Sequence, residues 1–143
     1  MTYEELAARE LRSMAWHEAA HQAVAEGCGT YAHAFVRPTH STDPCEKAWV
    51  GGCEIDQSRL SRNQRSHVAL AGAIGELLAD GQTDVYDIVG DLELDDGAVS
   101  QTDRKMMGGP INRAMLVRAT LRVLKLRPRI EEIVAELTWQ AAA

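Results

Sequence analysis

The sequence predicts a mostly α fold (α+β) with one small β-hairpin, folded as a single domain over residues 1–143. Three observations predict it. Residues 3 to 26 contain neither Gly nor Pro, which leaves an unusually long uninterrupted helix. Val68, Ala71, Ile74, Leu77 and Leu78 recur at helical spacing. Only residues 32–38 and 48–55 read as strands, and both are short. A chain of 143 residues suits one domain with a core of its own.

The first helix opens with Thr2-x-x-Glu5, a capping box, and shows an apolar side made of Leu6, Leu11, Met14, Ala15, Ala19, Ala23 and Val24. Gly27 and Gly29 are its stop signals. Ala32–Pro38 and Ala48–Ile55 then read as two strands joined by the polar stretch Thr39–Lys47, hence a hairpin. Gly51-Gly52 marks a bulge or a close backbone approach in the second. Ser61-x-x-Gln64 is a further capping box and opens a helix through about Ala79, with Gly81 ending it. Residues 82–101 are acidic and read as loop. A short helix is expected from about Thr102-Asp103 to Gly108-Gly109. Pro110 fits the first turn of another through about Leu126, and Pro128 opens or kinks a last one carrying Ile130, Ile133, Val134 and Leu137.

The bulk numbers exclude several classes. Hydrophobic residues make up 45% and charged residues 25%, ordinary for a globular protein. A net charge of −6 argues against a nucleic-acid partner. No apolar run approaches the roughly 20 residues of a membrane span, and the acidic N-terminus lacks the basic and apolar regions of a signal peptide. Cys28, Cys45 and Cys53 are odd in number, which argues for free thiols packed as small apolar residues and for the cytoplasm. A homo-oligomer is left open.

Chemistry enters with His17-Glu18-Ala19-Ala20-His21, the H-E-x-x-H pattern, set well inside the first helix. Helical residues four apart share a face, about 5–6 Å between β-carbons, so both imidazoles can reach one Zn2+ ion. Glu18 beside the first His is then placed as the general base that takes a proton from water activated by the metal. The competing explanation is two histidines on a partly polar helix face with Glu18 in a surface ion pair.

The flanks carry a resemblance. Ala15-Trp16-His17-Glu18-Ala19-Ala20-His21-Gln22-Ala23-Val24-Ala25 resembles the H-E-A-G-H-A-V segment of the FtsH-type protease domain. Phe35-Val36-Arg37-Pro38 followed by Gly51-Gly52 is similar to the next block of that family. Leu70-Ala71-Gly72-Ala73-Ile74-Gly75-Glu76-Leu77-Leu78-Ala79-Asp80-Gly81 resembles its A-G-x-x-A-E-E-hydrophobic-x-x-G helix. The three blocks stand in family order over roughly the first 80 residues. Ala20 replaces the family's Gly, while Gly75 and Leu77 stand where Ala and a second Glu are usual. No Walker A motif occurs, so the resemblance is to a peptidase unit without its ATPase motor.

That resemblance implies a zinc metallopeptidase of the Asp-zincin kind, with a peptide or protein as substrate. Its third ligand is an Asp in a G-A-x-N-D context. The nearest match is Gly97-Ala98-Val99-Ser100-Gln101-Thr102-Asp103, which makes Asp103 the leading choice, with Asp96 and Asp91 as alternatives. A carboxylate at 103 would also suit the first turn of a helix without any metal. Glu76 has two readings: third ligand, as in Glu-zincin regulatory proteases, or acceptor of a hydrogen bond from a ligand imidazole. A non-catalytic, zinc-stabilised domain that binds a partner is the remaining alternative. His40 with the three cysteines lacks Cys-x-x-Cys spacing and gives only a weak second zinc motif, and His33 and His67 read as surface or packed residues. Of the tryptophans that could line a groove, Trp16 and Trp49 read better as core.

Overall fold

The computed structural model describes residues 1–95 and 97–142. Among these the chain forms α1 (Tyr3–Gly27), β1 (Ala32–Pro38), β2 (Trp49–Ile55), a 3-10 turn (Gln57–Arg59), α2 (Arg62–Ala79), α3 (Val85–Leu94), α4 (Gln101–Met107), α5 (Arg113–Lys125) and α6 (Arg127–Ala142). The expected mostly helical α+β class is what the chain adopts, with β1 and β2 antiparallel in a two-stranded sheet.

Both capping boxes form. Thr2 Oγ1 accepts the Glu5 N–H and Ser61 Oγ the Gln64 N–H, while the Glu5 and Gln64 side chains reach back to the cap residues' own N–H groups. Each cap satisfies donors that the helix cannot satisfy itself. α1 runs on through Gly27, and Gly29 takes the left-handed turn (φ 85°) that ends it.

α1 and α2 form the centre of the molecule. Ala15, Ala19, Ala20 and Ala23 on α1 are fully or almost fully buried, as are Val68, Ala71 and Ile74 on α2. These small side chains let the helices touch backbone to backbone. A Cβ at Gly75 would lie 2.6 Å from the Trp16 carbonyl oxygen and 2.8 Å from the Ala20 Cβ. Arg12 of α1 reaches across to donate twice to the Ala79 carbonyl at the end of α2, 3.1 and 3.2 Å away. The Trp16 ring is buried, with the guanidinium groups of Arg12 and Arg127 about 5.7 and 5.6 Å from its centroid.

The sheet lies against α1. Ala32, Ala34 and Val36 alternate inward while His33 and Arg37 point out, the period of a strand with one buried face. The Gln22 side chain of α1 accepts the Ala34 N–H at 2.9 Å. β2 pairs with β1 alone among the described residues, so its other edge is unpaired. Gly51 and Gly52 are sites of close approach and not of a bulge: the register is regular, with Met14 pressed on Gly51 and the Phe35 ring on Gly52.

Three expectations need correction. Residues 82–101 are not all loop, because Val85–Leu94 is α3. Asp84 caps it by accepting the Tyr86 and Asp87 N–H groups, and Ile88, Val89 and Leu92 turn inward. Its exposed acidic face and Gly90 hide that short apolar stripe. Pro110 does not open α5, which starts at Arg113 behind Asn112, whose side chain accepts the Met115 N–H. Of the cysteines, all free, Cys45 is exposed and so does not fit the packed apolar reading. Trp49 is half-buried and donates to the Ala7 carbonyl, whereas Trp139 is exposed. No helix among the described residues is long and apolar enough to cross a membrane.

The α1–α2 contact yields a test. Gly75→Ala gains helix propensity worth up to about 1 kcal/mol, but its methyl meets backbone that cannot swing aside, and overpacking costs about 1–3 kcal/mol. We expect a net loss of stability, read as a lower denaturation midpoint with an unchanged slope; a higher midpoint would contradict this packing.

Candidate metal centre

His17 and His21 stand one turn apart on α1, where the helix is regular and deeply packed. Asp103 comes to them from α4. Ser100 caps that helix by accepting the Asp103 N–H at 3.2 Å, which fixes the first turn and directs the carboxylate. The first-turn role expected of Asp103 and a place beside the two histidines therefore coexist.

The three donor atoms form a nearly equilateral triangle. His17 Nε2 and His21 Nε2 are 3.1 Å apart, and Asp103 Oδ2 lies 3.5 Å from the first and 3.4 Å from the second. Tetrahedral zinc, with bonds of about 2.0–2.1 Å, needs donors about 3.3 Å apart. The residues present thus fit a tetrahedral ion with three protein ligands. Among the described residues, this is the one group of His, Cys, Asp and Glu close enough to hold a metal, which leaves His40 and the cysteines without a second site. Asp103 Oδ2 and Glu18 Oε2 are both buried without a hydrogen-bond partner. Asp103 Oδ2 is itself one of the three donor atoms, so a metal held by the triangle would satisfy it.

Each imidazole is oriented from its far side. His21 Nδ1 lies 2.6 Å from the Val68 carbonyl and donates to it, so Nε2 is left free for a metal. His17 Nδ1 lies 3.3 Å from Glu76 Oε2, and Ser13 Oγ donates to the other Glu76 oxygen at 3.2 Å. Glu76 is therefore placed as the acceptor behind His17, outside the triangle of donor atoms. Gly72 completes the floor, because a Cβ there would lie 2.5 Å from atoms of both imidazoles.

Of the alternatives for the third position, Asp91 is exposed on α3 and accepts from Gln82, away from the histidines. Asp96 lies outside the described residues. His33 is exposed and His67 half-buried. Ser13 and Gly72 are the contributors that the sequence reading missed. Ser13 carried a signal: it precedes His17 by four residues and so shares the face of both histidines.

Glu18 is 7% exposed, with Oε1 3.6 Å from His17 Nε2. Burial pushes its carboxyl above the usual range, partly offset by the two histidines. For His17, burial opposes the charged form, but the carboxylates of Asp103, Glu76 and Glu18 outweigh it, and its pKa is pushed up to about 10 without a metal. Asp103 is the reverse case, since both imidazoles hold it below the usual carboxylate range despite burial.

Two cavities flank this centre. One, of about 750 Å³, lies between the β2 edge (Gly51–Ile55) and the start of α4. The other, of about 500 Å³, lies between α1, Lys47 and the 97–100 segment. They share His17, Glu18, Gly51 and Ser100, so they adjoin across the donor atoms. None of the three tryptophans lines either. No known family model matches the chain, and no curated protein matches it.

Two outcomes are expected. Glu76→Ala should weaken zinc binding about 10- to 100-fold while keeping one ion per chain, whereas Asp103→Ala should abolish stoichiometric binding; the opposite pattern, read by competition with a chromogenic chelator, would make Glu76 the ligand. The second concerns pH. In the metal-free protein the raised His17 pKa adds stability that is full below the ordinary value of 6.5 and disappears as pH rises toward about 10. A proton on His17 competes with zinc, so zinc should bind more tightly as pH rises. Melting temperature should thus fall from pH 6.5 to 9.5 without metal, and the gain on adding zinc should grow over the same range.

Proposed function

We propose that the protein is a zinc-dependent peptidase, an endopeptidase of the FtsH-like, Asp-zincin kind. The observation that carries this reading is the triangle of His17, His21 and Asp103 donor atoms with the buried, partnerless Glu18 oxygen beside it. Zinc, when bound there, supplies a Lewis acid that polarises a carbonyl and lowers the pKa of water toward about 7.

The remaining work falls to the chain. Glu18, its proton affinity raised by burial, takes a proton from the attacking water and passes it to the leaving amine. Val68 and Glu76 hold the two imidazoles with both Nε2 atoms beside Asp103 Oδ2, where the three residues would hold the metal. The unpaired edge of β2 borders the larger cavity and offers main-chain groups to an extended peptide, the general mode of strand addition. Free thiols throughout suit a reducing, cytoplasmic setting.

The departures from the FtsH-type pattern also support the reading, because two of them meet in space. Position 20 gains a methyl and position 75 loses one, and a Cβ at Gly75 would sit 2.8 Å from that of Ala20. The exchange keeps the helix spacing that brings α2 under the imidazoles.

Glu18→Gln is the direct test. It should retain one zinc per chain while cleavage of an unfolded protein substrate drops by at least about 100-fold. Equal cleavage by variant and wild type would defeat the mechanism. Retained zinc with no cleavage even by the wild type would favour the non-catalytic, partner-binding domain.

A further inference from the structure

We propose that the smaller cavity beside the metal centre is a subsite for a cationic side chain, so that the preferred substrates carry Lys or Arg next to the scissile bond. This rests on the reading of the groove as a peptidase site and names the substrate class that site selects.

The two cavities differ in charge. In the larger one the acidic groups are Glu18 and Asp103, which together balance a divalent ion, and Lys105 stands at its α4 wall. The smaller one adds two further carboxylates, Glu10 and Glu76, that no metal balances. Both are held in place. One Glu10 oxygen accepts the Ala48 N–H at 3.2 Å, and Glu76 is fixed by Ser13 and His17. The second Glu10 oxygen has no hydrogen-bond partner among the described residues. Glu18, 7% exposed with one oxygen unpartnered, lines the same cavity.

Lys47 is the cation in this wall, but it is exposed and makes no ion pair within 4 Å among the described residues. A long, solvated side chain can swing clear. Carboxylates held half-buried at fixed positions attract a cation more strongly than mobile surface groups do, since the cost of ordering them is already met by folding. The methylene stem of an incoming Lys or Arg has apolar surface to lie on in Met14 and Ala98. Gly51, shared by both cavities, brings β2 itself close to α1, so a peptide on the β2 edge can turn one side chain into the acidic wall.

The test measures binding separately from hydrolysis. Zinc-loaded wild-type protein, kept cold so that cleavage is slow beside the reading, is titrated, by fluorescence anisotropy, with labelled peptides carrying Lys or the isosteric norleucine at successive positions. Lys at one fixed position should bind about tenfold more tightly than norleucine, in line with a charge-assisted hydrogen bond. Adding Glu10→Gln, which keeps an acceptor for Ala48, should bring that ratio close to one; adding Lys47→Gln should raise it. A ratio near one at every position, or one that Glu10→Gln leaves intact, would overturn the subsite. Cleavage of an unfolded protein by the wild type reports on the peptidase reading independently. Charge preference without cleavage would sink that reading and keep the pocket, and cleavage without charge preference would do the reverse.

Discussion

The closeness of α1 to α2 is the constraint on which the rest of the structure depends. Gly72 and Gly75 bring the two backbones together, and anything larger at either position would push on the imidazoles or on the Trp16 carbonyl. Only at this spacing does the Val68 carbonyl reach His21 and the Glu76 carboxylate reach His17. The alanine-rich face of α1 is therefore part of the site. It adds little apolar area per residue, yet it sets the distance between the two histidines and the groups that orient them.

A second constraint is electrostatic. Glu18 and Asp103 are buried close together, and two carboxylates cannot share a poorly solvated site without positive charge nearby. In the metal-free protein His17 supplies it by holding a proton. A divalent ion would supply it in the metal-bound protein and release that proton. The fold thus carries its own counter-charge, and on metal binding the same side chain would change from cation to ligand.

Much of this was legible in the sequence, for identifiable reasons. The two long helices were readable because their capping boxes and apolar spacing are local signals. His17, Glu18 and His21 were readable because one helical turn sets their geometry. Asp103 was harder: it arrives from more than eighty residues away, and only the Gly97-Ala98 context ahead of it, read through a resemblance, set it above the acidic residues before it. α3 was concealed by its own exposed charges, and the start of α5 by a proline three residues ahead of it. Ser13 and Gly72 act through contacts between helices, which no single stretch of sequence displays.

The two imidazoles are anchored unequally. His21 is held by a peptide carbonyl inside the core, with its side chain 6% exposed; His17 is held by a carboxylate at the surface, with its own side chain 20% exposed. A carbonyl fixed in a helix cannot leave, while a half-solvated carboxylate can turn to water. A metal ion in this site would have one firm histidine and one yielding one, and the path by which it enters and departs would open on the His17 side.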